Sequence, residues 1–339
     1  MKKTWVKVVV GLVVALLVLV GGFVGYVEAN ATPNLQFPDA PSPAIAASSD
    51  PEVIERGRNL VHGVAHCATC HGDYDEDHPE ALFEDVVLSG GAELRPPFGV
   101  FRAANITSDE ETGVGAWSDA ELARVIRTGV RRNGEISIFM KLAVGDTSDE
   151  DLTAILSYLR SVPPVRHEVA PSEPNFMAFA LVAFSPIPPD DIEGPPHVPD
   201  GAEPSIERGS YLANGPGQCV GCHTPPSSQD MFAPDPTRLC AGGEPMEGHG
   251  RDSQAEFAPP NLTADETTGV TGRLTEDAWV TRFRTVGRTR SGSPMPWENF
   301  QRMSDGDLRS LYRYVRSLPA IHRDTGPPVR ARGSFTVPE

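Results

Sequence analysis

Cys67-Ala68-Thr69-Cys70-His71 and Cys219-Val220-Gly221-Cys222-His223 are the two stretches on which the reading of this 339-residue chain turns. Each half carries two cysteines spaced by two residues, with a histidine directly after. Working outward, Ile54-Glu55-Arg56-Gly57 recurs as Ile206-Glu207-Arg208-Gly209, and each copy runs ten residues on into its Cys-x-x-Cys-His. Downstream, Asn105-Ile106-Thr107-Ser108-Asp109 through Val114 is matched by Asn261-Leu262-Thr263-Ala264-Asp265 through Val270. Long matches in the same order make the chain a tandem repeat.

Both copies close on a helical pattern at i, i+3, i+4, i+7: Leu152, Ile155, Leu156 and Leu159, then Leu308, Leu311, Tyr312 and Val315. Ser148 and Ser304 stand at the N-caps, with Asp151 and Asp307 three residues on, and Pro163 and Pro319 end the helices. Ser118 and Glu121 predict a capping box at an internal helix. With Gly and Pro at 32 and 33 residues and aromatics at only 7%, the spacing predicts short helices joined by long loops, not extended sheets. Each repeat reads helix, Cys-x-x-Cys-His, long loops, helix, loop with Met, helix.

Two thiols separated by two residues in a turn can form thioethers to the two vinyl groups on one haem edge, and the next imidazole then reaches the iron. Cys67, Cys70 and His71, with Cys219, Cys222 and His223, are therefore the candidate ligands of two haem c groups. A zinc knuckle needs further Cys or His at ligand spacing, and a redox dithiol does not require a histidine next in line in both copies, so both readings lose. The fifth cysteine, Cys240, is expected to be a small buried hydrophobe. Five cysteines are too few for a disulfide scaffold of this size.

Val8 to Val27 is uncharged and almost wholly apolar, long enough to cross a bilayer of roughly 30 Å. Lys2, Lys3 and Lys7 precede it, and Trp5 and Tyr26 suit the two interfaces, so everything after Glu28 is expected outside the cytoplasmic membrane, in the periplasm or beyond. Ala29-Asn30-Ala31 has the pattern of a cleavage site, but the apolar run exceeds the usual length of a signal segment. The expected division is 1–27 anchor or signal segment, 28–51 linker, 52–164 first module, 165–203 proline-rich linker, 204–320 second module and 321–339 tail. Eleven prolines between Pro163 and Pro204 predict a semi-rigid extended connector. Its apolar island, Phe176 to Phe184, is too short to span a membrane and is expected to pack across the two modules.

These motifs resemble class I cytochrome c modules, in particular those of the multihaem cytochrome c subunit of membrane-bound alcohol, aldehyde and gluconate dehydrogenases. The resemblance covers roughly 52–164 and 204–320, with two modules here where that family has three. It implies a mainly α chain of two tandem class I cytochrome c domains behind a transmembrane helix. It also implies a late methionine as sixth iron ligand in each module, soft thioether sulfur favouring Fe(II). Met295 lies between Pro294 and Pro296; Met140 occupies the corresponding place between Phe139 and Lys141. His62, His66 and His249 are weaker competitors, and Met246 is expected to be packing or surface. Asn105-Ile106-Thr107 and Asn261-Leu262-Thr263 match a glycosylation pattern but are read as loop structure.

Two six-coordinate irons leave no open position, which points to an electron carrier and not an enzyme. The expected donor is a membrane-bound dehydrogenase or a quinol-oxidising complex, and the acceptor a downstream cytochrome or oxidase. The rival readings are a catalytic dihaem cytochrome, peroxidase-like or thiosulfate-oxidising, and a terminal-oxidase cytochrome subunit. The net charge of −17 argues against a nucleic-acid partner. It is uneven: 28–162 holds 10 basic and 23 acidic side chains, 163–204 holds 1 and 7, and 205–339 holds 15 and 16. Asp73, Asp75, Glu76 and Asp77 follow His71 directly, and negative charge there favours Fe(III), which predicts a lower potential for the first centre.

Overall fold

The computed structural model describes residues 2–75, 77–143, 146–189, 191–200, 203–229, 233–248, 253–286 and 292–332. Thirteen α-helices appear among them, with six short strands. The N-terminal helix α1 (Lys2–Leu35) continues past the apolar run. Beyond its end, Gln36 pairs with Glu135 in an antiparallel bridge, the Phe37 N–H donates to Gly134 O at 2.7 Å, and the Ile136 N–H donates to Leu35 O at 2.9 Å.

In the first repeat follow α2 (Pro51–Asn59), α3 (Cys67–His71), α4 (Asp119–Thr128), α5 (Ile138–Ala143) and α6 (Asp149–Ser161). The connector holds α7 (Phe176–Phe184). The second repeat has α8 (Ile206–Asn214), α9 (Cys219–His223), α10 (Val270–Arg273), α11 (Glu276–Thr281), α12 (Trp297–Phe300) and α13 (Asp305–Ser317). Strands β1 (Glu93–Leu94), β2 (Gly99–Arg102) and β3 (Glu173–Pro174) form one small antiparallel sheet; β4 (Met246–Glu247), β5 (Ala255–Phe257) and β6 (Val329–Ala331) form another. The architecture is mainly α.

The expected caps are present. Ser148 Oγ accepts the Asp151 N–H at 3.2 Å and Ser304 Oγ the Asp307 N–H at 3.0 Å, while Ser118 and Glu121 close a full capping box.

The repeated Ile-Glu-Arg-Gly now has a physical meaning: α2 crosses α6, and α8 crosses α13, at backbone contact. A Cβ on Gly57 would lie 1.9 Å from Ala154 O, and one on Gly209 would lie 2.0 Å from Ser310 O, so only glycine permits either crossing. The arginine beside it locks the pair: Arg208 holds Asp307 with two bonds, of 2.7 and 3.1 Å, and Arg56 pairs with the almost fully buried Asp151.

The two repeats share one apolar core that runs from Leu60 and Val61 through Leu152 and Leu156 to Leu212, Leu308 and Val315. Polar contacts cross the seam. The Tyr211 hydroxyl meets Asp151 and accepts the Ser148 N–H at 3.1 Å, and Arg302 reaches Asp85 at 2.7 Å.

Between Pro163 and Pro204 the chain is tied to the first repeat. Asn105 Nδ2 donates to Val165 O at 2.8 Å, His167 Nδ1 to Ser89 O at 2.9 Å, and Arg102 pairs with Glu173 at 2.8 Å. One expectation fails: helix α7 does not pack across the repeats. It lies along α1, where Val27, Ala31 and Ala183 bury one another and Asn34 Nδ2 donates to Val182 O at 3.0 Å. The small residues on its inner face meet Val27 and Ala31 near the C-terminal end of α1.

Candidate haem sites

Both Cys-x-x-Cys-His segments form a single helical turn, α3 and α9, entered through a left-handed residue: His66 at φ 39° and Gln218 at φ 51°. That kink separates each turn from the helix before it and places both cysteines of a pair on one short turn. Cys67 Sγ and Cys219 Sγ each lie 3.7 Å from the carbonyl two residues back. Burial pushes the Cys67 thiol up to about 12 and raises the Cys219 thiol as well, so both stay protonated.

The histidines are oriented alike. His71 Nδ1 lies 2.7 Å from Ala104 O, and His223 Nδ1 lies 2.9 Å from Pro260 O. A carbonyl can only accept, so Nδ1 carries the proton and Nε2 keeps its lone pair. Desolvation lowers both imidazole pKa values and keeps the rings neutral. A metal-binding histidine needs this second hydrogen bond to fix its tautomer and plane.

Each accepting carbonyl immediately precedes the repeated asparagine, which is nearly fully buried and braces the loop. Asn105 Oδ1 accepts from the Thr107 N–H at 3.0 Å and the Thr107 hydroxyl at 2.8 Å, while its Nδ2 reaches Val165 O. Asn261 repeats the pattern with Thr263 at 3.0 and 2.8 Å and with Ile321 O at 2.7 Å. Sequence reading gave these motifs no functional weight. Their recurrence at the same place in both repeats was the signal that could have found them.

Met140 and Met295 are half-buried against the common core. Met295 stands in the turn before α12, its carbonyl accepting the Trp297 N–H at 2.8 Å. Met140 sits inside α5, not in a loop. A cavity of about 480 Å³ is lined by Pro260, Val270, Leu274, Arg273, Arg282 and Asp324, and none of Cys219, Cys222, His223 or Met295 lines it. The donor set itself fits a c-type haem: two thiols on one short turn, followed by an imidazole that a backbone carbonyl orients through Nδ1. Among the described residues, no three His, Cys, Asp or Glu side chains converge as a metal cluster.

Of the competing side chains, His62 is fully buried with Nε2 2.8 Å from the Tyr158 hydroxyl, whereas His66 donates Nδ1–H to Val64 O at 3.1 Å, the same arrangement as His71 and His223. His249 and Glu76 lie outside the described residues. Cys240 is buried, as expected, with its thiol pushed up to about 12, and Met246 lies on the surface in β4.

No family model matches the chain. It is 28% identical over 295 residues to the alcohol dehydrogenase (quinone) cytochrome c subunit of Gluconacetobacter polyoxogenes, covering 82% of this chain and 58% of that one. It is 28% identical over 296 residues to a dihaem cytochrome c-type protein of Cereibacter sphaeroides, covering 80% and 90%. The gluconate 2-dehydrogenase cytochrome c subunit of Pantoea cypripedii is 27% identical over 288 residues, with 79% and 60% covered. The chain is thus a homologue of cytochrome c proteins, and it spans 58% of the length of the alcohol dehydrogenase subunit.

Proposed function

We propose that this chain is an electron carrier holding two haem c groups, tethered to the cytoplasmic membrane by α1 with both repeats on the periplasmic or outer side. The observation that carries this reading is the doubled turn, in which each histidine donates Nδ1–H to a backbone carbonyl and keeps Nε2 free. Cys67 and Cys70, and Cys219 and Cys222, would hold the haems covalently; His71 with Met140, and His223 with Met295, would be the axial ligands. A bound c-type haem supplies one-electron chemistry at an iron tuned by its axial ligands. The protein's part is to attach, orient and shield it. The two dehydrogenase-subunit relatives support a membrane-bound dehydrogenase as donor, with a quinol-oxidising complex as the other candidate and a downstream cytochrome or oxidase as acceptor. The uncharged run of α1, preceded by three lysines, supports the anchored topology.

Acid-acetone extraction tests the attachment: about two haems per chain should stay with the protein, one for each motif. Release of both into the solvent overturns the reading. Met295→His should then lower the second centre's potential without haem loss, since histidine favours Fe(III) more than methionine does. An unaltered potential removes Met295 from the ligand set.

A further inference from the structure

Helix α7 reads FMAFALVAF, nine apolar residues without a charge. Asn175 caps it by accepting the Met177 N–H at 2.9 Å, so it is a built helix and not a collapsed loop. One side is satisfied by α1: Ala178, Val182 and Ala183 are buried. The other side is not. Phe176, Met177 and Phe184 are 48%, 49% and 60% exposed, far more than large apolar side chains accept in water when they stand together.

These exposed residues continue the exposed apolar surface of α1. Phe23 packs on Phe176 and on Phe184 with ring centroids 5.9 Å apart in each case, and Tyr26 stacks on Phe184 at 4.9 Å. Phe23 lies within the run from Val8 to Val27 and Tyr26 at its outer end, so α7 sits at the level where that run would leave a bilayer. At about 1.5 Å per residue, nine residues are too short to cross.

We infer that α7 lies in the outer-leaflet interface of the membrane, its exposed apolar face among the lipid chains and its inner face on α1. This rests on the reading of α1 as a membrane span. An interfacial helix of this kind buries its apolar side several ångströms deep at the acyl boundary. Having no basic residue, α7 would bind by apolar burial and need no anionic lipid. Through the pairing of β3 with β2 it also fastens the first repeat to the membrane at a second point.

The test uses the full-length haem-loaded chain in phosphatidylcholine nanodiscs, with a benzophenone amino acid placed in separate samples at Phe184, at Leu17 in the span, and at exposed Ile206 in the second repeat. Lipid adducts are expected at Leu17 and Phe184, several-fold above Ile206, with the visible spectrum unchanged. Label at Leu17 with Phe184 at the Ile206 level overturns the placement of α7 while leaving the span intact. Label at Phe184 alone removes the span and overturns the outer-leaflet placement that rests on it. Absence of label at both positions overturns the two together, and a crosslink from Phe184 to a second chain replaces lipid by a protein contact.

Discussion

Thr69, inside the first Cys-x-x-Cys turn, donates its hydroxyl to Asn299 Oδ1 at 2.9 Å, four residues past Met295 in the other repeat. Asn299 is fully buried and its Nδ2 donates in turn to His62 O at 2.9 Å. The Cys-x-x-Cys-His turn of one repeat is thereby tied to the methionine-bearing segment of the other by a single side chain. Phe300 reinforces the contact, its ring meeting that of His66 edge-on at 5.6 Å.

Asn299→Leu leaves the carbonyl of fully buried His62 and the half-buried Thr69 hydroxyl without their partner, and should cost about 1–3 kcal/mol of stability. Thr69→Val should cost less, and the double variant should recover part of the sum, with a coupling of about 0.5–2 kcal/mol. Urea unfolding of the four proteins measures this. Strict additivity would mean that the bond does not hold the seam.

Asn105→Ala and Asn261→Ala should each cost about 1–3 kcal/mol, because buried threonine and carbonyl groups lose their partner. Each should also shift the midpoint potential of its own centre alone, since the loop it braces supplies the carbonyl that orients His71 or His223. Redox titration separates this from a purely structural role: lowered melting temperatures with both midpoints unchanged would sink it.

Burial lowers the His62 pKa from the usual 6.5 to about 4, against the weaker upward pull of Asp85. Its folded-state value lies below the unfolded one, so its contribution to stability is complete above pH 6.5 and is lost as pH falls toward 4, where only the unfolded chain takes up the proton. The shift corresponds to on the order of 3 kcal/mol. His62→Gln should flatten the stability profile between pH 6.5 and 4 by that order in denaturant unfolding. An equally steep acid loss in the variant would assign it to other groups.

Changing Asp73, Asp75, Glu76 and Asp77 to Asn or Gln should raise the first centre's potential and weaken the salt dependence of electron entry, leaving exit from the second centre nearly unchanged. Stopped-flow reduction and re-oxidation at two ionic strengths reads both steps. Slowing of re-oxidation alone would mean that electrons leave from the first centre instead of entering there.

The helices were legible because their signals are local. Ser148, Ser304 and the Ser118–Glu121 pair announce helix starts within three residues, and Leu152 to Leu159 shows its buried face by spacing alone. The Cys-x-x-Cys-His turns follow the same local rule, since close spacing alone puts Cys67, Cys70 and His71 on one short helical turn. What was not legible depends on separation in the chain. The partner of Asn299 lies 230 residues away, and the surface beneath α7 belongs to a helix more than a hundred residues earlier. Composition showed that Phe176 to Phe184 must be covered, but not by what. Arg56 and Gly57 were read only as a repeat marker, since their roles require the crossing helix to be present.

The bridge between Gln36 and Glu135 bears on how the protein would meet its partners. That bridge stitches the end of α1 into the segment that leads to Met140, so the first repeat cannot swivel as it would on a flexible leash. If α1 crosses a bilayer, the body above it keeps one fixed attitude while drifting sideways. Encounter with a neighbour in the same membrane then becomes a two-dimensional search with a single rotational freedom, about the membrane normal, and only one flank of the first repeat comes within reach of a low-lying donor.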